Sequence, residues 1–288
     1  MIAVKNRRML KEYGLPLLLF LATVMTTVVA GAFYEGADPL HDAKALLKGL
    51  PFSVSLIFIL GSHELGHYFA GRSHGVVSTL PHFIPAPPVP PMIGTFGAVI
   101  RMKSPILTRK ALVDIGASGP LIGFMAAIIV TCAGLSGVSI APVSSVAGEL
   151  ELGTPLVFKV LSHIVLGPVP DGHDISLNAV TFAGWLGFFV TSINLLPIGQ
   201  LDGGHISYAL TGRRHRAFSF IAVAILVALG VYGWLGWLVW GALIVAFGLA
   251  HPPVENPFEP LGRSRMFVAA AAIAVFVLTF TPTPFYIK

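Results

Sequence analysis

The chain has 288 residues, 55% of them hydrophobic and only 11% charged, with a mean hydropathy of +0.82. Soluble domains carry about 25% charged residues, so this composition excludes a water-soluble globule and predicts an all-α polytopic membrane protein, one membrane-embedded domain over 1–288. The formal charge is +5, but the basic residues sit where they orient spans in a membrane, which removes the case for a nucleic-acid partner.

A helical span needs about 20 apolar residues. Behind the basic N-terminus MIAVKNRRMLKEY the first such run is 15–34. It is long for a signal-peptide core and no small-x-small cleavage site follows, so it reads as a retained span. Further spans are predicted at 51–71, 112–134, 175–196, 217–233, 235–250 and 266–284. That makes about seven transmembrane helices, or six if ALGVYGWLGWLVWG at 228–241 is one long tilted helix instead of two joined at a glycine turn. With a cytoplasmic N-terminus, alternation through seven spans puts fourteen of the eighteen Lys and Arg on the inner side, as the orientation rule requires. The expected location is therefore a cell membrane (inner or plasma), multi-pass. A chloroplast is less favoured because no transit peptide is evident.

Two stretches break the pattern. Prolines 81, 85, 87, 88, 90 and 91 forbid a regular helix near 76–103, and 94–102 reads as strand, one arm of a short membrane-embedded β-hairpin. Non-helical backbone at that depth is tolerated where protein or a water-filled cavity surrounds it, so this segment is expected to line a site. In 149–168 apolar residues recur at helical spacing, as in an amphipathic interfacial helix or a re-entrant piece.

The chemistry starts at SHELGHYF, inside the second predicted span. His63 and His67 are four apart and share one helix face, where two imidazoles can hold a single tetrahedral metal and Glu64 can reach its open position. Ionisable side chains inside a span are costly and mark function. Zinc catalysis needs a third protein ligand, and Asp202, an isolated carboxylate in NLLPIGQLDGGH, is the candidate. His63 lies nine residues before Arg72 and Asp202 eleven before Arg213, depths of roughly 14 and 17 Å at about 1.5 Å per residue. The two sites are level.

HELGH at 63–67, GTFGAVI at 94–100, SGPLIGF at 118–124 and NLLPIGQLDGG at 194–204 together resemble the site-2 protease family of intramembrane zinc metalloproteases, in its compact EGY-like form without PDZ or CBS domains. SGPLIGF departs slightly from the family's usual form. The resemblance covers most of 50–215, the expected catalytic core, and leaves 15–34 and 217–284 as accessory spans. It implies Zn2+ held by His63, His67 and Asp202, with Glu64 as general base. It also implies that Asn194 helps hold the substrate or the developing oxyanion, and that the partners are transmembrane protein substrates, such as membrane-anchored regulators, within the lipid bilayer. The competing class is a zinc transporter or metal-sensing membrane protein, which would show ligands repeated along a path or inverted repeats. This sequence shows one cluster and no repeat.

Overall fold

The computed structural model describes residues 13–90, 92–142 and 150–287; the basic N-terminal residues counted above lie outside them. The described residues form nine helices: α1 Leu15–Tyr34, α2 Leu46–Ser73, α3 Arg109–Leu135, α4 Leu156–Leu166, α5 Ala179–Asn194, α6 Asp202–Thr211, α7 His215–Tyr232, α8 Gly236–Phe247 and α9 Gly262–Thr279. Three antiparallel strand pairs accompany them: β1 His82–Pro85 with β2 Thr95–Val99, β3 Ser139–Pro142 with β5 His173–Ser176, and β4 Leu150–Leu152 with β6 Phe285–Ile287.

The helices are inside-out relative to those of a soluble protein. On α2, Val54, Phe58, Leu65 and Phe69 point outward, while Phe52, Leu56 and Ile59 are buried together with His63, Glu64 and His67. A polar stripe turned inward and an apolar one turned outward is what lipid demands. Helices α1 and α2 approach closely because Gly31 and Gly49 face each other: a Cβ on Gly49 would strike the Val28 carbonyl. Thr27 and Ser53 share a hydrogen bond of 2.7 Å across that contact. Small residues serve this purpose where no hydrophobic drive pulls helices together.

One buried apolar cluster links α1, α2, α3, α5, α6 and α9. A second, from Ile193, Ile198, Leu226, Trp237 and Ile244, seats α7 and α8 against the end of α5.

Five stretches are long and apolar enough to cross a membrane: 15–34, 43–73, 109–135, 202–232 and 262–279. The spans expected at 175–196 and 235–250 are realised as shorter apolar helices, α5 with 16 residues and α8 with 12. At about 1.5 Å per residue these measure roughly 24 and 18 Å, short of a ~30 Å hydrocarbon core. The expectation overran because apolarity does not distinguish helix from its neighbours: 173–176 pair as β5, and α8 ends at Gly248, whose φ of 103° suits no side-chain-bearing residue. Helices α7 and α8 are separate, as the glycine turn implies. Within 202–232, Gly212 (φ 60°) interrupts the helix, and α7 folds back along α6, bringing His215 within 3.2 Å of the Ser207 hydroxyl.

The β1–β2 hairpin is present where the prolines excluded helix, with His82 opposite Val99 and a bulge between Phe83 and Pro85. It hangs from α1: the Thr26 hydroxyl donates to the Gly94 carbonyl at 2.6 Å. A Cβ on Gly94 would run into the Thr26 carbonyl, and its φ of 79° also calls for glycine. In 149–168 the helical spacing is realised as α4, which buries Val157, Phe158 and Ser162.

Candidate metal centre

On the buried face of α2, one turn apart, the Nε2 atoms of His63 and His67 lie 3.0 Å from each other. Asp202 opens α6, and its Oδ2 lies 3.3 Å from each of those nitrogens. Ligands at about 2.0–2.1 Å from a tetrahedral ion stand about 3.3–3.4 Å apart, so two imidazoles and a carboxylate converge at the separation one zinc-sized cation needs. Among the described residues this is the one group of three His, Cys, Asp or Glu whose donor atoms meet in this way.

Local sequence explains the convergence. His67 Nδ1 donates to the Ile115 carbonyl at 2.7 Å, which fixes the tautomer and leaves the Nε2 lone pair free for a metal. Behind both imidazoles α3 presents a bare wall. A Cβ on Gly119 would overlap the His67 ring, and one on Gly123 would sit 3.1 Å from His63 Nδ1. One on Gly116 would press within 3.0 Å of the Asp202 carbonyl. Asp202 arrives because the turn after α5 is tight. Side chains on Gly203 and Gly204 would strike the carbonyls of Leu195 and Gly199 respectively. Ser219 and His215 of α7 hold that turn through the Gly199 N–H and carbonyl, both at 3.2 Å. A carboxylate in the first turn of a helix also faces the dipole's positive end.

Glu64 is 8% exposed and its carboxylate lies toward the main chain of Ile100, the residue following β2. Asn194, the last residue of α5, places its side-chain amide nitrogen 3.3 Å from His63 Nε2. The five residues singled out in the sequence therefore lie near one another, His63, Glu64 and His67 buried and Asn194 and Asp202 partly so.

Other contributors were not foreseen. The Gly116, Gly119 and Gly123 row could have been read as a small-residue helix interface, but not as the wall of a metal centre. The Ile115 carbonyl carries no sequence signal. His205, three residues after Asp202, hydrogen-bonds His251 at 2.7 Å, and His251 stacks on Tyr208 at 4.3 Å between ring centres. These histidines brace α6 against the segment before α9, although their positions in sequence show no ligand spacing.

Comparison with known proteins agrees with this geometry. The chain is 34% identical over 179 residues (60% of this chain, 31% of the relative) to a protein of Arabidopsis thaliana named "Probable zinc metalloprotease EGY2, chloroplastic". It is 28% identical over 307 residues (96% and 51%) to one of Oryza sativa subsp. japonica named "Probable zinc metalloprotease EGY1, chloroplastic". The chain thus spans roughly a third to a half of the length of these curated relatives. No solved structure matches. The profile of Peptidase family M50 matches residues 51–235, which contain His63, Glu64, His67, Asn194 and Asp202. With nearly two thirds of its length inside that match, this chain belongs to Peptidase family M50, the site-2 protease family.

Proposed function

We propose that the protein is an intramembrane zinc metalloprotease that hydrolyses peptide bonds of transmembrane protein substrates. The observation that carries this reading is the meeting of His63, His67 and Asp202 around one point, with Glu64 buried beside it. Zinc, held by these three side chains, would supply Lewis acidity, acidifying water at its open position and polarising the scissile carbonyl. Glu64 takes the proton from the attacking water and delivers it to the leaving amine. The Asn194 amide donates to the oxyanion as it develops. Beside them the β1–β2 hairpin offers the free edge of β2 to extended substrate, which adds to it as a further strand. A helical peptide hides its carbonyls, so the edge also gives the unwound segment a place to bind.

The fuller topology belongs to the same reading: seven crossings, with α5 and α8 as shortened spans, the hairpin at membrane depth, and the N-terminus on the cytoplasmic side of a cell membrane. Residues 50–215 are the catalytic core, and 15–34 and 217–284 are accessory. A single donor cluster suits a resident catalytic ion better than the ligand path of a zinc transporter.

The test is Glu64→Gln in purified protein with a single-span substrate in liposomes. Zinc content should stay at the parent level while cleavage falls by roughly 100-fold or more. A Gln variant that cuts at the parental rate would overturn the mechanism.

A further inference from the structure

A cavity of about 830 Å3 opens between the first turns of α3 and α9 and the last turn of α6. Its lining is mostly apolar, with Leu210, Leu261, Met266 and Phe267, and two arginines, Arg109 and Arg263, stand at its edge. The volume falls among ligand sites, which run to about 300–1,000 Å3, and its lining contains no acidic residue.

Charge at this corner is unevenly neutralised. Lys110 pairs with Glu259 at 2.7 Å, and Arg265 pairs with Asp114 at 2.9 Å. The two arginines that line the cavity lack such partners among the described residues. Arg109 spends Nε and one terminal nitrogen on the carbonyls of Ala209 and Pro257, and Arg263 meets no carboxylate. Helix α9 begins at the cavity without a side-chain cap, so its first N–H groups add positive potential. An occupant must therefore be anionic at one end and apolar along its length. Arg109 and Arg263 lie in the first turns of two helices long and apolar enough to cross a membrane, α3 and α9, so in the proposed topology both stand at the headgroup level of the inner side.

We propose that this cavity binds one anionic phospholipid, its phosphate between Arg109 and Arg263 and its acyl chains along Met266 and Phe267. Basic clefts between spans on the inner side suit such headgroups. Arg109 Nε is bonded to Ala209 of α6 at 2.7 Å, and α6 begins with Asp202. The lipid therefore rests on the residue that braces the helix carrying the carboxylate.

The test is native mass spectrometry of the intact protein offered equal amounts of phosphatidylglycerol and phosphatidylcholine with the same acyl chains. One phosphatidylglycerol per protein should be retained in preference to phosphatidylcholine, and excess inorganic phosphate should not displace it. Arg263→Gln, an exposed change, should lower retention roughly five-fold, the worth of about one charge near a lipid surface. Ala270→Trp, which blocks the apolar part, should lower it without touching the charge. Equal retention of the two lipids would overturn the proposal, as would parental retention by both variants. Displacement by phosphate alone would mark a free-anion site, and displacement by an acidic peptide a protein-docking site, and either also overturns it. Binding is the readout, so the result is independent of whether the protein cleaves peptides.

Discussion

His67 Nδ1 and the main-chain carbonyl of Ile115 are joined by a hydrogen bond of 2.7 Å that ties the metal-facing side of α2 to α3. A carbonyl cannot be mutated away, but the close approach that brings it there depends on Gly119 and Gly66, whose side-chain equivalents would strike His67 and the Ser118 carbonyl. The bond and the two glycines are one device. It sets the tautomer of His67 and the distance between helices together.

Gly119→Ala should therefore disable the centre without unfolding the protein. The new methyl would occupy the place of the His67 ring, forcing it from its rotamer and its bond to Ile115. Loss of comparable support around metal ligands lowers affinity by roughly 10–100-fold, and a zinc titration against a competing chelator measures it. Gly241→Ala in α8 is the control: nothing lies within 4 Å of its added carbon. Its zinc affinity should be unchanged, with stability equal or higher by up to about 1 kcal/mol.

Asp202→Asn should weaken zinc by more than the supporting-residue change, because an amide replaces an anionic ligand opposite two neutral imidazoles. Chelator treatment of the parent should lower its unfolding midpoint, since an ion present at 100 times its dissociation constant stabilises the folded state by about 2.7 kcal/mol. The Asn variant should unfold at one midpoint with or without chelator. A midpoint in the variant that still falls on chelation would assign the stabilisation elsewhere.

Gly94→Ala addresses the hairpin separately from the metal. Its φ of 79° and the Thr26 carbonyl both resist a side chain, so the change should cost about 1–3 kcal/mol of local strain and shift β2 from its seat on α1. Zinc content should remain parental while KM for a transmembrane substrate rises. Unchanged KM would remove the β2 edge from substrate binding.

Asn178→Ala should destabilise α5 by about 1 kcal/mol. The Asn178 side chain caps α5 by accepting from the Thr181 N–H at 2.8 Å and also donates to the Gly134 carbonyl at 3.0 Å. Denaturant unfolding in mixed micelles should show the loss, with zinc affinity unaffected because the cap lies at the far end of the helix from Asn194.

The donors were legible in the sequence because their signal is local. HExxH spacing fixes a helix face by itself, and the depth of Asp202 can be counted from the nearest basic flank. The supporting structure was not legible because it depends on which helix lies against which. Gly116, Gly119 and Gly123 gain their meaning only once α3 packs on α2, and Thr26 only once the hairpin hangs from α1, a helix whose sequence offers no chemistry of its own. The lengths of α5 and α8 were not legible because a hydropathy window does not register a strand or a glycine turn at a helix end. The contact between His205 and His251 is illegible for a similar reason: they are distant in sequence, and only the fold makes them neighbours.

Two neutral imidazoles on one helix and a carboxylate on another share no peptide linkage nearby, so the ion that unites them also works as a rivet. With it seated, α2 and α6 would move as one body; once it is stripped, α6 would lose that direct link to α2 and keep its packing on α3, its tether at Arg109 and its histidine brace. The same atom would then govern both bond cleavage and the integrity of the vessel in which cleavage occurs, and metal starvation would leave a loosened protein in the membrane as well as an idle one.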